Sequence, residues 1–229
     1  TFYNYFDAFG ITSRTGEELP SETGFMQYYK ANQLGEVQLA SSAFGQAMAI
    51  TPLQMCTAVA AAVNGGYLVT PHVVDKITDA NGNVIEEIGA NVRRQVISES
   101  TSNVIRQIME YEVGAGTGGG KYAYVSGYRI GGKSGTSEQL NMDRRADGDY
   151  KKVASFAAVL PADDPEIIVY VMLDDPNNAR TDYSSLLAAP VVGNIISEIA
   201  PYLGIAAAGE DRSQTVVPVP TLVGTEWSS

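Results

Sequence analysis

The chain has 229 residues, 45% hydrophobic and 18% charged, with a formal net charge of −11 at neutral pH. That length supplies a core for one large domain or one and a half small ones, and an acidic balance with no basic stripe argues against nucleic-acid binding. A single cysteine (Cys56) and a single histidine (His72) leave no intrachain disulfide and speak against a zinc site of Cys and His or a histidine-based triad. No apolar run reaches transmembrane length.

Taken in order, Asn4 to Phe9 reads as the end of a helix stopped at Gly10, and Gly10–Gly16 and Glu17–Pro20 as loop and turn. Thr51-Pro52-Leu53-Gln54 is a capping box with proline at the first helical position. The helix it opens carries Met55, Cys56, Val59, Ala60 and Val63 at helical spacing and stops at Asn64-Gly65-Gly66. Tyr67 to Ile88 predicts a hairpin, with Val73 and Val74 on one arm, Val84 and Ile85 on the other, and Asn81-Gly82 at the tip. Asp79 to Asn83 faintly resembles a calcium loop, but its glycine falls at the fourth position rather than the sixth.

Ser98 is placed to cap a helix with Val104, Ile105, Ile108, Met109 and Val113 on one face, ending at Gly114. The glycine-rich run Gly114–Lys121 is no phosphate loop: Ala115 stands where the first glycine belongs, Tyr122 follows the lysine, and no strand precedes it. It reads as a flexible loop. Tyr128–Ser137 reads as an inner strand whose glycines Gly131, Gly132 and Gly135 permit close approach, with Lys133 supplying a cation and Ser134 and Thr136 hydroxyls. Such an edge suits an anionic or carbonyl-bearing substrate. A charged loop (138–152) leads to strands over Val153–Leu160 and Ile167–Leu173, making a meander. The last helix is expected from Pro190, with Val191, Val192, Ile195, Ile196 and Ile199 as its apolar stripe. Cys56 reads as a small core residue and His72 as structural. The implied class is α+β, an antiparallel sheet flanked by helices.

Lys133-Ser134-Gly135-Thr136 resembles the third active-site motif, the K-T-G type, of penicillin-binding proteins and serine β-lactamases. Phe44-Gly45-Gln46 followed by Thr51-Pro52-Leu53-Gln54 resembles a segment of class B penicillin-binding proteins. So do Asn64-Gly65-Gly66 with Pro71-His72, Gly116-Thr117-Gly118 with Gly127-Tyr128, and Ala188-Ala189-Pro190-Val191. Phe9-Gly10 through Leu19-Pro20 resembles the loop after the family's second motif. The likeness covers residues 1–205 and implies the C-terminal part of a transpeptidase domain. Residues 206–215 then read as a linker, and 216–229 resemble the start of a PASTA repeat.

The resemblance implies peptidoglycan D,D-transpeptidation. A serine in S-x-x-K attacks a D-Ala-D-Ala carbonyl, an S-x-N motif assists proton movement, and an amine of a neighbouring stem peptide takes the acyl group. β-Lactams acylate the same serine. Neither motif occurs here: Gln27, Val73, Gly118, Ile130, Gly148 and Asp149 stand three residues before the six lysines, and no asparagine has Ser or Tyr two before it. The chain is therefore expected to contribute one wall of the site, with both motifs upstream, and to be inactive alone.

By resemblance, Lys133 and Thr136 are the catalytic residues of that wall, and Ser134, Gly135, Thr136, Ser137 and Glu138 line the substrate. Lys133 would attract the substrate carboxylate and polarise the proton network. The hydroxyls of Ser134 and Thr136 would hold that carboxylate, and the Thr136 N–H would be an oxyanion-hole donor. Glu138, where many relatives carry Gln, would repel anionic β-lactams. No cofactor is implied. The expected partners are the stem peptide or its lipid-linked precursor, β-lactam antibiotics, the upstream half of the same protein, and division or elongation proteins. The expected location is the extracytoplasmic face of a bacterial membrane. The alternatives are a β-lactamase or β-lactam sensor on the same fold, or a non-catalytic wall-binding or division scaffold.

Overall fold

The computed structural model describes residues 1–20, 22, 29–33, 35–114, 118–139, 144–176, 181 and 183–207. The expected PASTA-like stretch, and the linker beyond Ala207, lie outside them. The chain divides into two compact units: Thr1–Glu99 with Ser137–Lys151, and Ser100–Thr136 with the described residues from Lys152 onward.

The first unit opens with α1 (Phe2–Ala8) and continues through α2 (Glu36–Ala43) to α3 (Pro52–Val63). The capping box forms as expected: Thr51 Oγ1 accepts the Gln54 N–H at 3.1 Å, and Gln54 Oε1 accepts the Thr51 N–H at 2.9 Å. The buried face of α3, however, is Gln54, Thr57, Ala58, Ala61 and Val63, with Met55, Cys56, Val59 and Ala60 only half-buried. Its polar members go inward because they have partners there. The Gln54 amide donates to the carbonyls of Ser13 (2.7 Å) and Ile11 (3.3 Å), and the Thr57 hydroxyl is 3.0 Å from the Leu53 and Gln54 carbonyls. After α3 the chain turns at Gly66. Its φ of +98° is left-handed, and a Cβ there would fall 2.0 Å from the Ile97 carbonyl oxygen, so only glycine fits.

Strand β1 (Tyr67–Thr70) pairs antiparallel with β4 (Asn91–Gln95), which the sequence reading did not anticipate. Between them lies the expected hairpin of β2 (Lys76–Thr78) and β3 (Val84–Glu87). Its first arm starts at Lys76, three residues later than Val73. The Glu18 carboxylate takes the backbone N–H groups of Val73 (3.0 Å) and Val74 (2.9 Å), which removes both from any ladder. At the tip, the Asp79 carboxylate accepts from the Asn81 and Asn83 backbones and the Asn83 amide, each at 2.8 Å.

The second unit takes α4 (Glu99–Gly114) from Ser100 on, β5 (Gly131–Glu138) as far as Thr136, β6 (Lys152–Leu160) and β7 (Ile167–Asp174), and α5 (Ser184–Tyr202) closes it. The sheet order is β5-β6-β7, with β6 and β7 antiparallel from Val153–Asp174 to Leu160–Ile167. Phe156, Ala158 and Leu160 of β6 and Ala188, Ala189, Val192, Ile196 and Ala200 of α5 form the centre of its core. Helix α5 begins six residues before the expected Pro190, which sits inside it. Burial of Ser184, Ala188 and Ala189 outweighs the proline's missing N–H and steric clash. Val191, expected in the apolar stripe, is 40% exposed. On α4, Ile108 likewise faces outward and Glu110 is buried in its stead.

The glycine-rich stretch is described from Gly118. A Cβ on Gly118 would lie 2.2 Å from the Glu112 carbonyl oxygen, so this half of the expected flexible loop is packed down on α4. Among the described residues, α5 alone is long and apolar enough to cross a membrane by length and composition, and its Ala188, Val192 and Ile196 are fully buried in the unit's own core.

Candidate active site

The six candidate residues Lys133–Glu138 all lie on β5, which starts at Gly131, three residues later than the expected Tyr128, and takes in Glu138, which was expected in the charged loop. Two features in the second unit fix the strand. Gly131 and Gly132 are buried, and a Cβ on Gly132 would meet the Phe156 ring at 2.6 Å and Val113 at 2.9 Å. The strand can lie against that core only because position 132 has no side chain. Farther along, the Ser155 hydroxyl of β6 donates to the Gly135 carbonyl at 3.4 Å, and a Cβ on Gly135 would reach that hydroxyl at 2.8 Å.

Strand alternation places Ser134 and Thr136 on one face, with Lys133 and Ser137 on the other. Lys133 is exposed and its ammonium donates to the Ser134 carbonyl at 2.6 Å. Among the described residues no carboxylate pairs with it. In a chain of net charge −11, an exposed cation with no ion pair among the described residues is available to an anionic ligand. The Thr136 side chain is tied to a residue that sequence reasoning missed. Its Oγ1 is 3.0 Å from Ser184 Oγ at the start of α5, and it accepts the Ser184 N–H at 3.3 Å. Beginning that helix at Pro190 hid Ser184. The signal for it was the pair Ser184-Ser185 ahead of an apolar run.

Glu138 belongs to the first unit. Its backbone N–H donates to Gln46 Oε1 at 3.2 Å. Gln46 is presented by a strained turn in which Gly45 has φ +86° and Ala47 has φ +61°. A non-glycine residue there costs about 1–2 kcal/mol, a cost the surrounding contacts must offset. The charged loop beyond Glu138 is described from Arg144, whose guanidinium stacks 3.9 Å over the Tyr150 ring and donates to its hydroxyl at 2.6 Å.

Behind the strand, Arg129 joins Glu110 of α4 through two bonds, Nε–Oε1 at 2.7 Å and Nη2–Oε2 at 2.6 Å, and its Nη1 reaches Asp163. The side-chain bonds from Glu110 push the Arg129 pKa up, which keeps it charged at every accessible pH. Cys56 is half-buried and burial raises its thiol pKa, the behaviour of an inert packing residue. His72 is exposed, with Nδ1 2.9 Å from the Val74 carbonyl.

The Lys-Ser-Gly-Thr strand, at one side of a three-stranded sheet, thus offers an exposed ammonium and, on its other face, two hydroxyls. The family model described as penicillin binding protein transpeptidase domain matches residues 1–197, and the chain belongs to that family, in its class B. The chain is 38% identical over 205 residues to stage V sporulation protein D of Bacillus subtilis, covering 89% of this chain and 31% of that protein. It is 33% identical over 210 residues to a probable peptidoglycan D,D-transpeptidase FtsI of Caulobacter vibrioides, covering 88% and 34%. Its fold matches the crystal structure of penicillin binding protein 3 from Mycobacterium tuberculosis complexed with ampicillin, with a TM-score of 0.76, 26% identity and coverage of 96% and 49%. The chain thus spans about a third of the length of these curated relatives.

Proposed function

We propose that this chain supplies the substrate-carboxylate wall of a peptidoglycan D,D-transpeptidase acting on the extracytoplasmic face of a bacterial membrane. The observation that carries the reading is Lys133 on β5, exposed and with no carboxylate paired to it among the described residues, in line with Ser134 and Thr136 on the same strand. Lys133 draws in the terminal carboxylate of a stem peptide, and the two hydroxyls hold it. The Thr136 N–H donates to the oxyanion that forms when the acylating serine attacks. A strand edge needs no reorganisation for this, and a single such donor is typically worth about 3 kcal/mol. The serine belongs to an S-x-x-K motif that these 229 residues do not contain. A β-lactam carboxylate occupies the same wall, and the relative's ampicillin complex supports that choice of probe.

The test is covalent labelling by a fluorescent penicillin. In the full-length protein, Lys133→Ala should lower the acylation rate by about 100-fold or more, the usual scale for removing a preorganised charge. The thermal midpoint should hold, because Lys133 is exposed. The 229 residues alone should take no label. Undiminished labelling of the Lys133→Ala protein would overturn the reading.

A further inference from the structure

We infer that a cavity beside the start of α3 is a docking site for a partner's peptide segment in which a basic side chain stands next to aliphatic ones. The inference goes beyond the transpeptidase reading, and none of Lys133–Glu138 lines this cavity. It measures about 480 Å³, within the range of sites that bury a ligand. Three segments of the first unit wall it: the loop residues Glu17, Leu19 and Glu22, the start of α3, and the link from β1 to β2 at Pro71–Val73. These walls are tied down. The Glu18 carboxylate takes the N–H groups of Val73 and Val74, which fastens the loop to the link. The Glu22 carboxylate accepts from the Thr15 hydroxyl at 2.9 Å and the Gly16 N–H at 3.1 Å, and Glu17 Oε2 takes the Leu19 N–H at 2.6 Å. A site held in this way loses little in ordering when it binds.

The lining defines what fits. Leu19, Leu53 and Val73 are exposed there and offer an apolar surface to aliphatic groups. The carboxylates of Glu17 and Glu22 only accept hydrogen bonds. His72 has Nδ1 2.9 Å from the Val74 carbonyl, which puts a proton on Nδ1 and leaves Nε2 of the neutral ring an acceptor. The start of α3 would otherwise draw an anion, but Pro52 has no N–H and Thr51 closes the Gln54 N–H. Among the described residues neither lining carboxylate is ion-paired, and Arg14 acts on Glu22 only through space. Acceptors in excess of donors call for a cation that donates hydrogen bonds. The apolar wall calls for a carbon stem. Arginine and lysine side chains have both, and a guanidinium serves two carboxylates at once. Aliphatic neighbours on the same segment cover the remaining apolar wall. A chain of net charge −11 also draws a basic partner from a distance.

The experiment uses the full-length protein and two dye-labelled blocked tripeptides, Leu-Arg-Leu and the same peptide with citrulline, a neutral isostere, in place of arginine. Titration by fluorescence anisotropy should show the arginine peptide binding about tenfold tighter, the scale of one hydrogen bond between charged groups. Added salt should shrink that margin. Glu17→Gln still accepts the Leu19 N–H, so the citrulline peptide should bind as before while the arginine peptide falls to its level. Leu53→Ala should weaken both peptides. Hydrogen exchange of the parent protein with the arginine peptide bound should slow at residues 72–74, a readout that stands should the Glu17 variant fail to fold. Equal affinity for the two peptides, no binding of either, or full binding of the arginine peptide by Glu17→Gln would each overturn the inference.

Discussion

Arg129 and Glu110 meet fork to fork, two bonds of 2.7 and 2.6 Å that fix the entry to β5 against α4. Glu110 is 5% exposed, whereas the Arg129 side chain keeps about a quarter of its surface in water. Breaking one side leaves a buried group without its partner, a larger loss than the pair's net worth. Glu110→Gln should therefore destabilise the unit by about 2–3 kcal/mol, below the range for fully buried pairs because one end is wet. Arg129→Lys should lose nearly as much, since an ammonium cannot make the forked contact. Thermal unfolding of the full-length variants checks both.

Gly132 should tolerate no side chain. An added Cβ would stand 2.6 Å from two carbons of the Phe156 ring, itself fully buried. Gly132→Ala should cost about 1–3 kcal/mol through overpacking. Phe156→Leu in the same chain should recover part of that loss although it is destabilising alone. A double-mutant cycle with simply additive losses would refute the contact.

Glu138 is exposed and bonded through its backbone rather than its carboxylate, so changing its charge leaves the strand end held by Gln46. If its charge repels anionic β-lactams, Glu138→Gln should raise acylation rates about threefold at low salt, with the gain shrinking as salt is added. Equal rates for the two proteins at low salt would end the idea.

Two loops should loosen in acid. The N–H groups of Val74 and Val73 hold the Glu18 carboxylate below its ordinary range, and the Asn83 side chain, then its backbone, does the same for Asp79. A carboxylate depressed in the folded state stabilises above its ordinary pKa and loses that contribution as pH falls through the folded value. Hydrogen exchange at residues 72–74 and 79–83, corrected for intrinsic rates, should therefore rise between about pH 5 and pH 3. Glu18→Gln should remove the pH dependence from the first segment and leave it in the second.

The elements that were legible had their instructions nearby. The capping box at Thr51, the glycine stop at Gly65-Gly66, the turn at Gly82 and the apolar run of β6 each specify structure within a few residues. The strand bearing Lys133 was readable for the same reason: its glycines and hydroxyls alternate on one short element. What escaped depended on distant partners. Glu18 shortened the hairpin from 55 positions away, and Thr136 holds the first N–H of a helix 48 positions on. The start of α5 was lost to a local rule, proline at the first turn, that buried packing overrode.

Gln54 carries a consequence for the order of folding. One amide completes the cap of α3, three residues away, and also grips the carbonyls of Ile11 and Ser13, 43 and 41 residues back. The cap can close as fast as a helix nucleates, but the grip must wait for a chain loop of some forty residues to find its ends. The same side chain therefore belongs to an early event and a late one. Substitutions at Gln54 should slow folding through the cap and quicken unfolding through the loop, dividing their effect between the two rates.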